Sequence, residues 1–309
     1  MCFKNLKKLF LASLFLTHLS GFAQRIDRDR LLQHLEYLSS DQLAGRSTLT
    51  DGSQKARNYI LENLTQLDLI EPLYPDYTQY FSFENTRRKQ TYEDAANIVG
   101  IIPGSETNKV IVITAHYDHV GVGRVNYEGD SIYNGADDNA SGTSALLVLA
   151  DYFSKNRPKH SIIFAALDAE ELGLRGAKAL LEDFPYPMDQ IVLNVNMDMI
   201  SRNDQNEIYA SGTYHNPYLK EILEKAAANS NPTLKFGHDV PGTGSNDWTK
   251  SSDHGAFFDK KVPHLYFGVE DHRDYHKPSD EFKNIQPEFF VNSANLILKC
   301  ILALDQELL

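Results

Sequence analysis

The sequence is poor in cysteine, with two residues in a chain of 309. Small secreted folds that depend on disulfides need several cysteines, so that class is excluded. Cys2 lies in an amino-terminal segment that we expect to be removed, which leaves Cys300 without a partner for an intrachain disulfide. Because Cys300 lies in an apolar run with helical spacing, we predict that it is a buried core thiol.

Basic residues are also in deficit. The chain has 30 lysine and arginine residues against 42 aspartate and glutamate residues, which gives a formal net charge of −12. Proteins that bind nucleic acids neutralise phosphates with clusters of lysine and arginine, so nucleic acid is disfavoured as a partner. Internal repeats and low-complexity tracts are absent, and the length suits a single domain over residues 24–309.

The apolar segment near the amino terminus is too short to span a membrane comfortably. Leu9–Leu19 follows three lysines and precedes small residues that suit a cleavage site before Gln24. This arrangement is typical of a signal peptide, which we predict over residues 1–23. We therefore expect an exported protein, periplasmic or extracellular, with no stable membrane anchor after cleavage.

Short apolar runs alternate with segments of helical periodicity along the rest of the chain. This alternation predicts an α/β fold, a three-layer sandwich whose central, mostly parallel mixed sheet is covered by helices on both faces. The predicted strands are 78–83, 95–102, 110–116, 161–167, 191–197, 207–210 and 263–268. The predicted helices are 27–39, 52–67, 142–153, 174–184, 217–229, 252–258 and 287–304.

Residues that bind metals follow three of the predicted buried strands. One strand ends on His116 and Asp118, the next leads into Glu170 and Glu171, and the third ends on Asp198. Because the carboxyl ends of parallel strands meet at one edge of a sheet, we expect these side chains to lie close together. Imidazole and carboxylate are the ligands of zinc sites, so the sequence predicts a metal site at this edge.

Two further residues complete a ligand set for two divalent ions. Asp137 lies in the loop after the first of these strands, and a late loop supplies His276, which we prefer over His272. Two neutral imidazoles and three carboxylates give a ligand charge of −3 against +4, which suits a partly buried pair of cations. The predicted metal ligands are His116, Asp137, Glu171, Asp198 and His276.

Glu170 remains beside a ligand and free to act as a base. Two ions roughly 3.5–4 Å apart acidify a bound water, and Glu170 can take its proton and return it to a leaving amine. Asp118 is placed to accept the other ring N–H of His116 and so fix the tautomer of that imidazole.

Each of these residues also has an ordinary structural explanation. Glutamates in a first turn can complement a helix dipole, and Asp137 and its neighbours can form a polar turn. Taken together, such explanations need five coincidences at strand ends, so the metal site is favoured. His119, His254 and His272 are placed at the pocket rim or in support of it, and Trp248 either shapes a substrate pocket or belongs to the core. The histidines expected to be structural are His34, His160, His215, His238 and His264.

Six sequence blocks in order resemble metallopeptidase family twenty-eight, which contains secreted leucine-type aminopeptidases, glutamate carboxypeptidase and a glutaminyl cyclase branch. The likeness extends upstream through Leu35 to Arg46 and covers nearly the whole mature chain. The blocks are His116–Asp118, Gly135–Gly142, Glu170–Gly173, Asn196–Asp198, Ser252–His254 and Tyr275–Asp280.

The resemblance implies a zinc-exopeptidase-like fold and two Zn²⁺ ions, for which Co²⁺ or Mn²⁺ can substitute. It implies that Asp137 bridges the ions and that Glu170 is the general base. The remaining ligands pair as His116 with Asp198 on one ion, and Glu171 with His276 on the other. The bond after the bridging aspartate, Asp137–Asp138, is expected to be cis. Thr249 stands where the secreted aminopeptidases have a tyrosine that steadies the oxyanion.

The leading hypothesis is an exported aminopeptidase that acts on peptides. A carboxypeptidase or dipeptidase needs a cation for the substrate carboxylate, for which Arg273 is the first candidate and Arg202 the second. A single-zinc glutaminyl cyclase typically lacks the second aspartate of the pair, so the presence of Asp138 favours hydrolysis. A non-catalytic binding domain on this scaffold usually loses ligands, and all five predicted ligands are present.

Overall fold

A computed structural model of the chain describes residues 25–308. The predicted signal peptide therefore lies outside the described residues and stays a prediction. The helices are α1 Arg28–Leu38, α2 Asp51–Thr65, α3 Gly142–Lys155, α4 Arg175–Glu182, α5 Tyr218–Ala226, α6 His254–Asp259 and α7 Pro287–Glu307. The strands are β1 Glu71–Pro72, β2 Thr78–Asn85, β3 Gln90–Ile102, β4 Glu106–His116, β5 Gly121–Val122, β6 Ile132–Tyr133, β7 His160–Leu167, β8 Ile191–Met197, β9 Glu207–Ser211, β10 Thr233–Phe236 and β11 His264–Gly268.

Nine strands form one mixed sheet in the order β1-β3-β7-β4-β8-β11-β9-β10, with β2 paired to β3. The central strands β7, β4, β8 and β11 are parallel to one another, and antiparallel pairs lie on both sides of them. This architecture confirms the predicted mixed α/β sandwich. It also brings the carboxyl ends of the four central strands to one edge of the sheet.

Alternation along β4 divides the core between the two faces of the sheet. Ile111 and Ile113 belong to the larger cluster, which includes apolar residues of α1, α3 and α7. Val110 and Val112 belong to a smaller cluster with residues of α4 and α6. Because successive side chains on a strand point to opposite faces, a strand buried on both faces must be apolar throughout.

The ends of the sheet differ from the sequence prediction. β10 pairs in parallel with β9 at the sheet edge, and its four residues alternate between polar and apolar types without forming an apolar run. The small sheet of β5 and β6 was also not predicted, because strands of two residues carry no periodicity. α7 is long and apolar enough to cross a membrane by length and composition alone, but most of that stretch is buried in the core. Cys300 on α7 is buried, as predicted.

Candidate metal centre

The carboxyl ends of the central parallel strands deliver ligand-type side chains to one point. His116 ends β4, Glu171 follows β7, Asp198 follows β8, and His276 lies in the loop after β11. The structure brings these four predicted residues together, with Asp138 between them. The choice of His276 over His272 agrees with this arrangement, since His272 Nε2 contacts the Asp137 carboxylate instead, at 3.1 Å.

Asp138 occupies the shared position that the sequence analysis assigned to Asp137. Asp138 belongs to both groups of side chains that could hold an ion. Its Oδ1 lies 3.4 Å from His116 Nε2, and its Oδ2 lies 3.0 Å from His276 Nε2. The assignment of Asp137 as the bridging ligand is therefore wrong by one residue in this structure, because adjacent residues of an irregular turn point in different directions.

Asp137 instead fastens the turn to the rest of the protein. Its Oδ1 accepts hydrogen bonds from the backbone N–H and the hydroxyl of Ser201, both at 2.7 Å. The backbone amides of Asp137 and Asp138 donate to the buried carboxylate of Asp280 at 3.0 to 3.1 Å. The cis peptide bond joins Asp138 and Asn139, whereas the sequence analysis expected it between Asp137 and Asp138. The cis bond and the shared carboxylate therefore both lie one residue later in the chain than expected.

The ligand-type side chains form two groups that share Asp138, with candidate ligand atoms in each group within 4.8 Å of one another. In one group, His116 Nε2 lies 3.4 Å from Asp198 Oδ2. In the other, His276 Nε2 lies 3.2 Å from Glu171 Oε1. The first group is His116, Asp138 and Asp198, and the second is His119, Asp138, Glu171 and His276.

His119 was not among the predicted ligands. Its Nδ1 lies 2.8 Å from Glu171 Oε1, and its side chain is buried. The signal in the sequence was its position, three residues after His116 and one after Asp118 at the end of the same strand. Sequence reasoning placed it at the pocket rim because nothing there distinguished it from the other spare histidines.

The donor atoms of these groups fit divalent cations. Asp198 Oδ1 is buried and has no hydrogen-bond partner, and Glu171 Oε1 and His119 Nδ1, which are buried 2.8 Å apart, have none in hydrogen-bond geometry. Buried polar atoms of this kind are costly unless something compensates them, and a cation does so. Burial opposes a charge on His276, yet the carboxylates of Asp138 and Glu171 raise its pKa to about 10, so this point strongly favours positive charge.

Asp118 supports the site chiefly through the chain segments around it. Its carboxylate accepts the backbone N–H of Glu170 at 3.0 Å and that of Glu171 at 3.3 Å. The contact of His116 Nδ1 at 3.1 Å is with the backbone carbonyl of Asp118, while the carboxylate lies 3.6 Å away. The predicted partner of His116 is therefore the right residue, but the nearer acceptor is its main chain.

Glu170 lines a cavity of about 280 Å³ beside the two groups. Burial, together with the negative charges of Asp253, Glu171 and Asp198, raises the pKa of Glu170 well above its ordinary value. A carboxylate with a raised pKa holds a proton more readily, which suits a base. The predicted base and the shared Asp138 thus line the same cavity.

Aromatic rings form much of the remaining cavity wall. Trp248 lines it as predicted for a substrate pocket, and its ring stacks on His238 with centroids 3.6 Å apart. Tyr275 also lines it, with its ring stacked on His276 at 4.0 Å. Sequence reasoning missed Tyr275, although it is the residue immediately before the chosen histidine.

Arg273, predicted to lie in the substrate pocket, does not line this cavity. Its side chain is 82% exposed and lies along a separate depression. Arg202 pairs with Asp274 at 2.7 Å. Thr249 donates its hydroxyl to Asp247 at 2.6 Å and is also outside the cavity wall.

Comparisons with known proteins bear on the family and the fold. The model of peptidase family M28 matches residues 97–301. A probable zinc metalloprotease of Pyricularia oryzae is 25% identical over 274 residues, covering 77% of this chain and 53% of the relative. The chain spans about half or less of the length of such curated relatives.

Two solved structures from Bacteroides thetaiotaomicron share the fold. A leucine aminopeptidase precursor superposes with a TM-score of 0.72 at 18% identity, covering 90% of this chain and 97% of that one. A glutaminyl cyclase bound to N-acetylhistamine superposes with a TM-score of 0.71 at 17% identity, covering 90% and 98%. Because proteins of both kinds share this fold, the reaction must be argued from the site.

Proposed function

We propose, since this chain belongs to peptidase family M28 as its sequence blocks predicted, that it is a two-metal aminopeptidase releasing the first residue of a peptide. The observation that carries the proposal is the carboxylate of Asp138, shared by two groups of ligand-type side chains at the wall of a small cavity. A shared carboxylate is the feature that allows two ions to lie close enough to act on one bond.

The ligands proposed for zinc are Asp138 between the ions, His116 with Asp198 on one side, and Glu171 with His276 on the other. Bound divalent cations supply an acidified water and stabilise the negative charge that develops on the substrate carbonyl oxygen. The three carboxylates carry a charge of −3, which offsets most of the charge of two such ions.

Glu170 is proposed to move the proton. Its carboxylate lines the cavity at the end of β7, and the hydrogen bonds that the backbone N–H groups of Glu170 and Glu171 donate to the Asp118 carboxylate hold this turn in place. Glu170 accepts a proton from the attacking water and donates it to the amine that leaves.

The charge and size of the cavity favour the amino end of a peptide. A volume of about 280 Å³ is suited to one terminal residue rather than to an extended segment of chain. Among the described residues that line the cavity there is no lysine or arginine to bind a substrate carboxylate. Carboxylates that can hold a free ammonium group, besides those of the proposed metal ligands, are Glu170, Asp247 and Asp271.

The apolar part of the cavity wall supports a preference for an apolar first residue. Met199, Trp248 and Val269 line it together with the ring of Tyr275. Contact with such a wall stabilises a bound aliphatic side chain by roughly 25 cal/mol for each Å² of apolar surface removed from water. We therefore expect leucine or a similar residue at the amino terminus of good substrates.

The test compares wild type with Glu170→Gln on leucyl-nitroanilide, with and without an amino-terminal block. We expect hydrolysis of the free substrate only, close to two metal ions per chain in both proteins, and a loss of about 10²–10⁴-fold in kcat for the variant. Full activity in Glu170→Gln contradicts the role of the base. Cleavage of the blocked substrate contradicts the aminopeptidase assignment, and ammonia release from glutaminyl peptides in place of hydrolysis makes the protein a cyclase.

A further inference from the structure

We propose that His119 is a direct ligand of one of the two ions, which makes the two metal positions unequal. One position then has four protein ligands, namely His119, Asp138, Glu171 and His276, and the other has three, namely His116, Asp138 and Asp198. This inference rests on the proposed function, because it concerns the same pair of ions. It adds a sixth ligand, which is absent from the six sequence blocks and from the five ligands of the proposed function.

The geometry around His119 Nδ1 is that of a ligand atom. It lies 2.8 Å from Glu171 Oε1 and 3.7 Å from Asp138 Oδ2. His276 Nε2 faces the same two oxygens at 3.2 and 3.0 Å. Two imidazole nitrogens and two carboxylate oxygens therefore surround one point, and four such ligands complete the tetrahedral set that zinc prefers.

The burial of His119 also points to a ligand. Its side chain is fully buried, Nε2 has no hydrogen-bond partner, and the 2.8 Å contact of Nδ1 with Glu171 Oε1 lacks hydrogen-bond geometry. Buried polar atoms without a hydrogen-bond partner are unusual in a protein interior. An ion held by the four residues would satisfy Nδ1 and Glu171 Oε1 at the same time.

The ring of His119 is held in this orientation by its surroundings. Gly135 packs directly on it, so that a Cβ at that position would lie 2.5 Å from His119 Cδ2. Gly135 also has a φ of +54°, in the left-handed region that favours glycine. The ring of His276 approaches edge-on with centroids 5.6 Å apart. The imidazole is therefore preorganised, as a ligand should be.

Buried Arg46 connects the segments that carry His119 and Asp138. Its guanidinium donates to the carbonyl of Gly135 at 3.0 Å, and its own carbonyl accepts the backbone N–H of His119 at 3.4 Å. It also donates to the carbonyls of Tyr117 and Asn134 at 2.8 and 2.6 Å. One residue, through its main chain and its side chain, thus links the segment of the additional ligand to the segment of the shared carboxylate.

The consequence is a division between a closed and an open metal position. Sites with four protein ligands are typical of structural zinc, and sites with three keep a position for water or substrate. Asp198 of the three-ligand group lines the cavity, as do the shared Asp138 and His276 of the four-ligand group, whereas His119 and Glu171 do not. The number of ligands thus assigns the open position, and with it contact with the substrate, to the ion held by His116 and Asp198, and tighter retention to the ion held by His119.

The experiment measures metal retention, since activity alone does not separate a ligand from a residue that only orients Glu171. Full-length wild type, His119→Ala and His119→Asn are loaded with Zn²⁺ and dialysed against a graded chelator series, and bound metal is counted by mass spectrometry. Asparagine keeps an N–H donor near the position of Nδ1 but is a poor zinc ligand. His272→Asn, whose histidine contacts Asp137 and belongs to neither group, is the matched control.

We expect wild type and His272→Asn to release two ions at clearly different chelator strengths. In both His119 variants, the affinity for the more tightly held ion should fall by more than about 100-fold. This fall exceeds the roughly 10–100-fold cost of removing a residue that only supports a metal ligand. Co²⁺-loaded protein should show a changed visible spectrum in the same variants. Circular dichroism checks that each variant is folded.

Retention of both ions by His119→Asn within about 100-fold of wild type overturns the inference and leaves His119 as a donor to Glu171. That outcome leaves the two-metal aminopeptidase intact. Fewer than two ions on wild type, by contrast, contradicts the metal pair of the proposed function itself. The two failures are therefore distinguishable in one titration.

Discussion

The two ends of the parallel strands both bury histidine next to carboxylate, but they use the pair differently. At the carboxyl end, Asp138, Glu171 and Asp198 converge on histidines. At the amino end, Asp305 of α7 meets His160 at the start of β7, and both are buried. Asp305 accepts the backbone amides of Lys159 and His160, each at 2.8 Å, and lies 3.1 Å from His160 Nδ1.

The difference is in how the carboxylate oxygens are satisfied. Both oxygens of Asp305 accept backbone amides, so nothing more is needed to compensate their burial. Glu171 and Asp198 each keep a buried oxygen without a partner. A buried histidine and carboxylate therefore indicate a metal site when the oxygens converge unpartnered, and a structural contact when the main chain satisfies them.

The largest effect on activity is expected from substitution of Asp138, because only the carboxyl end of the strands has a carboxylate shared by two groups of ligand-type side chains. Asp138→Asn removes the carboxylate that both groups share, so we expect loss of bound metal. We also expect kcat to fall by about 10³-fold or more, because bound cations contribute several kcal/mol to transition-state stabilisation. Asp137→Asn is the matched control next to it. It should keep both ions and lose about 1–3 kcal/mol of unfolding free energy, because Ser201 loses a charged acceptor. Metal analysis and thermal unfolding distinguish the two, and the reverse pattern restores Asp137 as the bridging ligand.

Substitution of Tyr275 tests whether this residue, at the carboxyl end of the parallel strands, donates the hydrogen bond to the oxyanion that Thr249 does not supply. Burial, with the negative charges of Asp138, Asp198 and Glu171, raises the pKa of Tyr275, so its hydroxyl stays protonated and able to donate. We expect Tyr275→Phe to lower kcat by about 10²–10³-fold with metal content unchanged. Thr249→Val should change kcat by less than about tenfold. Equal effects of the two substitutions in steady-state kinetics exclude the donor role of Tyr275.

Substitution of Asp305 tests whether the pair of histidine and carboxylate at the amino end of the parallel strands is purely structural. Asp305→Ala leaves two backbone amides and His160 without their acceptor, which should lower the unfolding free energy by about 1–3 kcal/mol for each buried group left unpaired. Activity per folded molecule and bound metal should remain at the wild-type level. Denaturant unfolding with parallel metal analysis measures both quantities. Loss of metal at unchanged stability refutes the distinction between the two ends.

The smallest effect is expected from Arg273, which lies at the carboxyl end but outside the cavity. Its side chain is mostly exposed, so Arg273→Ala should change KM and kcat for unblocked substrates by less than about twofold. It should also leave amino-blocked peptides uncleaved. A marked rise in KM for peptides with a free carboxyl end makes Arg273 a substrate contact and favours the carboxypeptidase alternative.

The periodicity of the sequence predicted most of the central strands and helices, because burial on both faces of β4, β7 and β8 requires continuous apolar runs. It also predicted which strand ends would meet, since parallel strands share one edge. It did not predict which of Asp137 and Asp138 faces the ions, because their roles depend on the turn fixed by Asp280 and Ser201, far away in the chain. For the same reason, it gave no orientation for His119, which depends on contacts with Gly135 and Arg46.

The hydrogen bonds of Asp280 have a consequence for biosynthesis. Asp280 holds the backbone amides of Asp137 and Asp138, which are 143 and 142 residues earlier in the chain. A ribosome that has completed the first half of the protein has made the shared carboxylate but not the residue that fixes its turn. Contacts this distant in sequence form only after long loops close. The turn that carries the shared carboxylate is therefore completed late in synthesis, and a nascent chain that ends before Asp280 lacks the acceptor that fixes it.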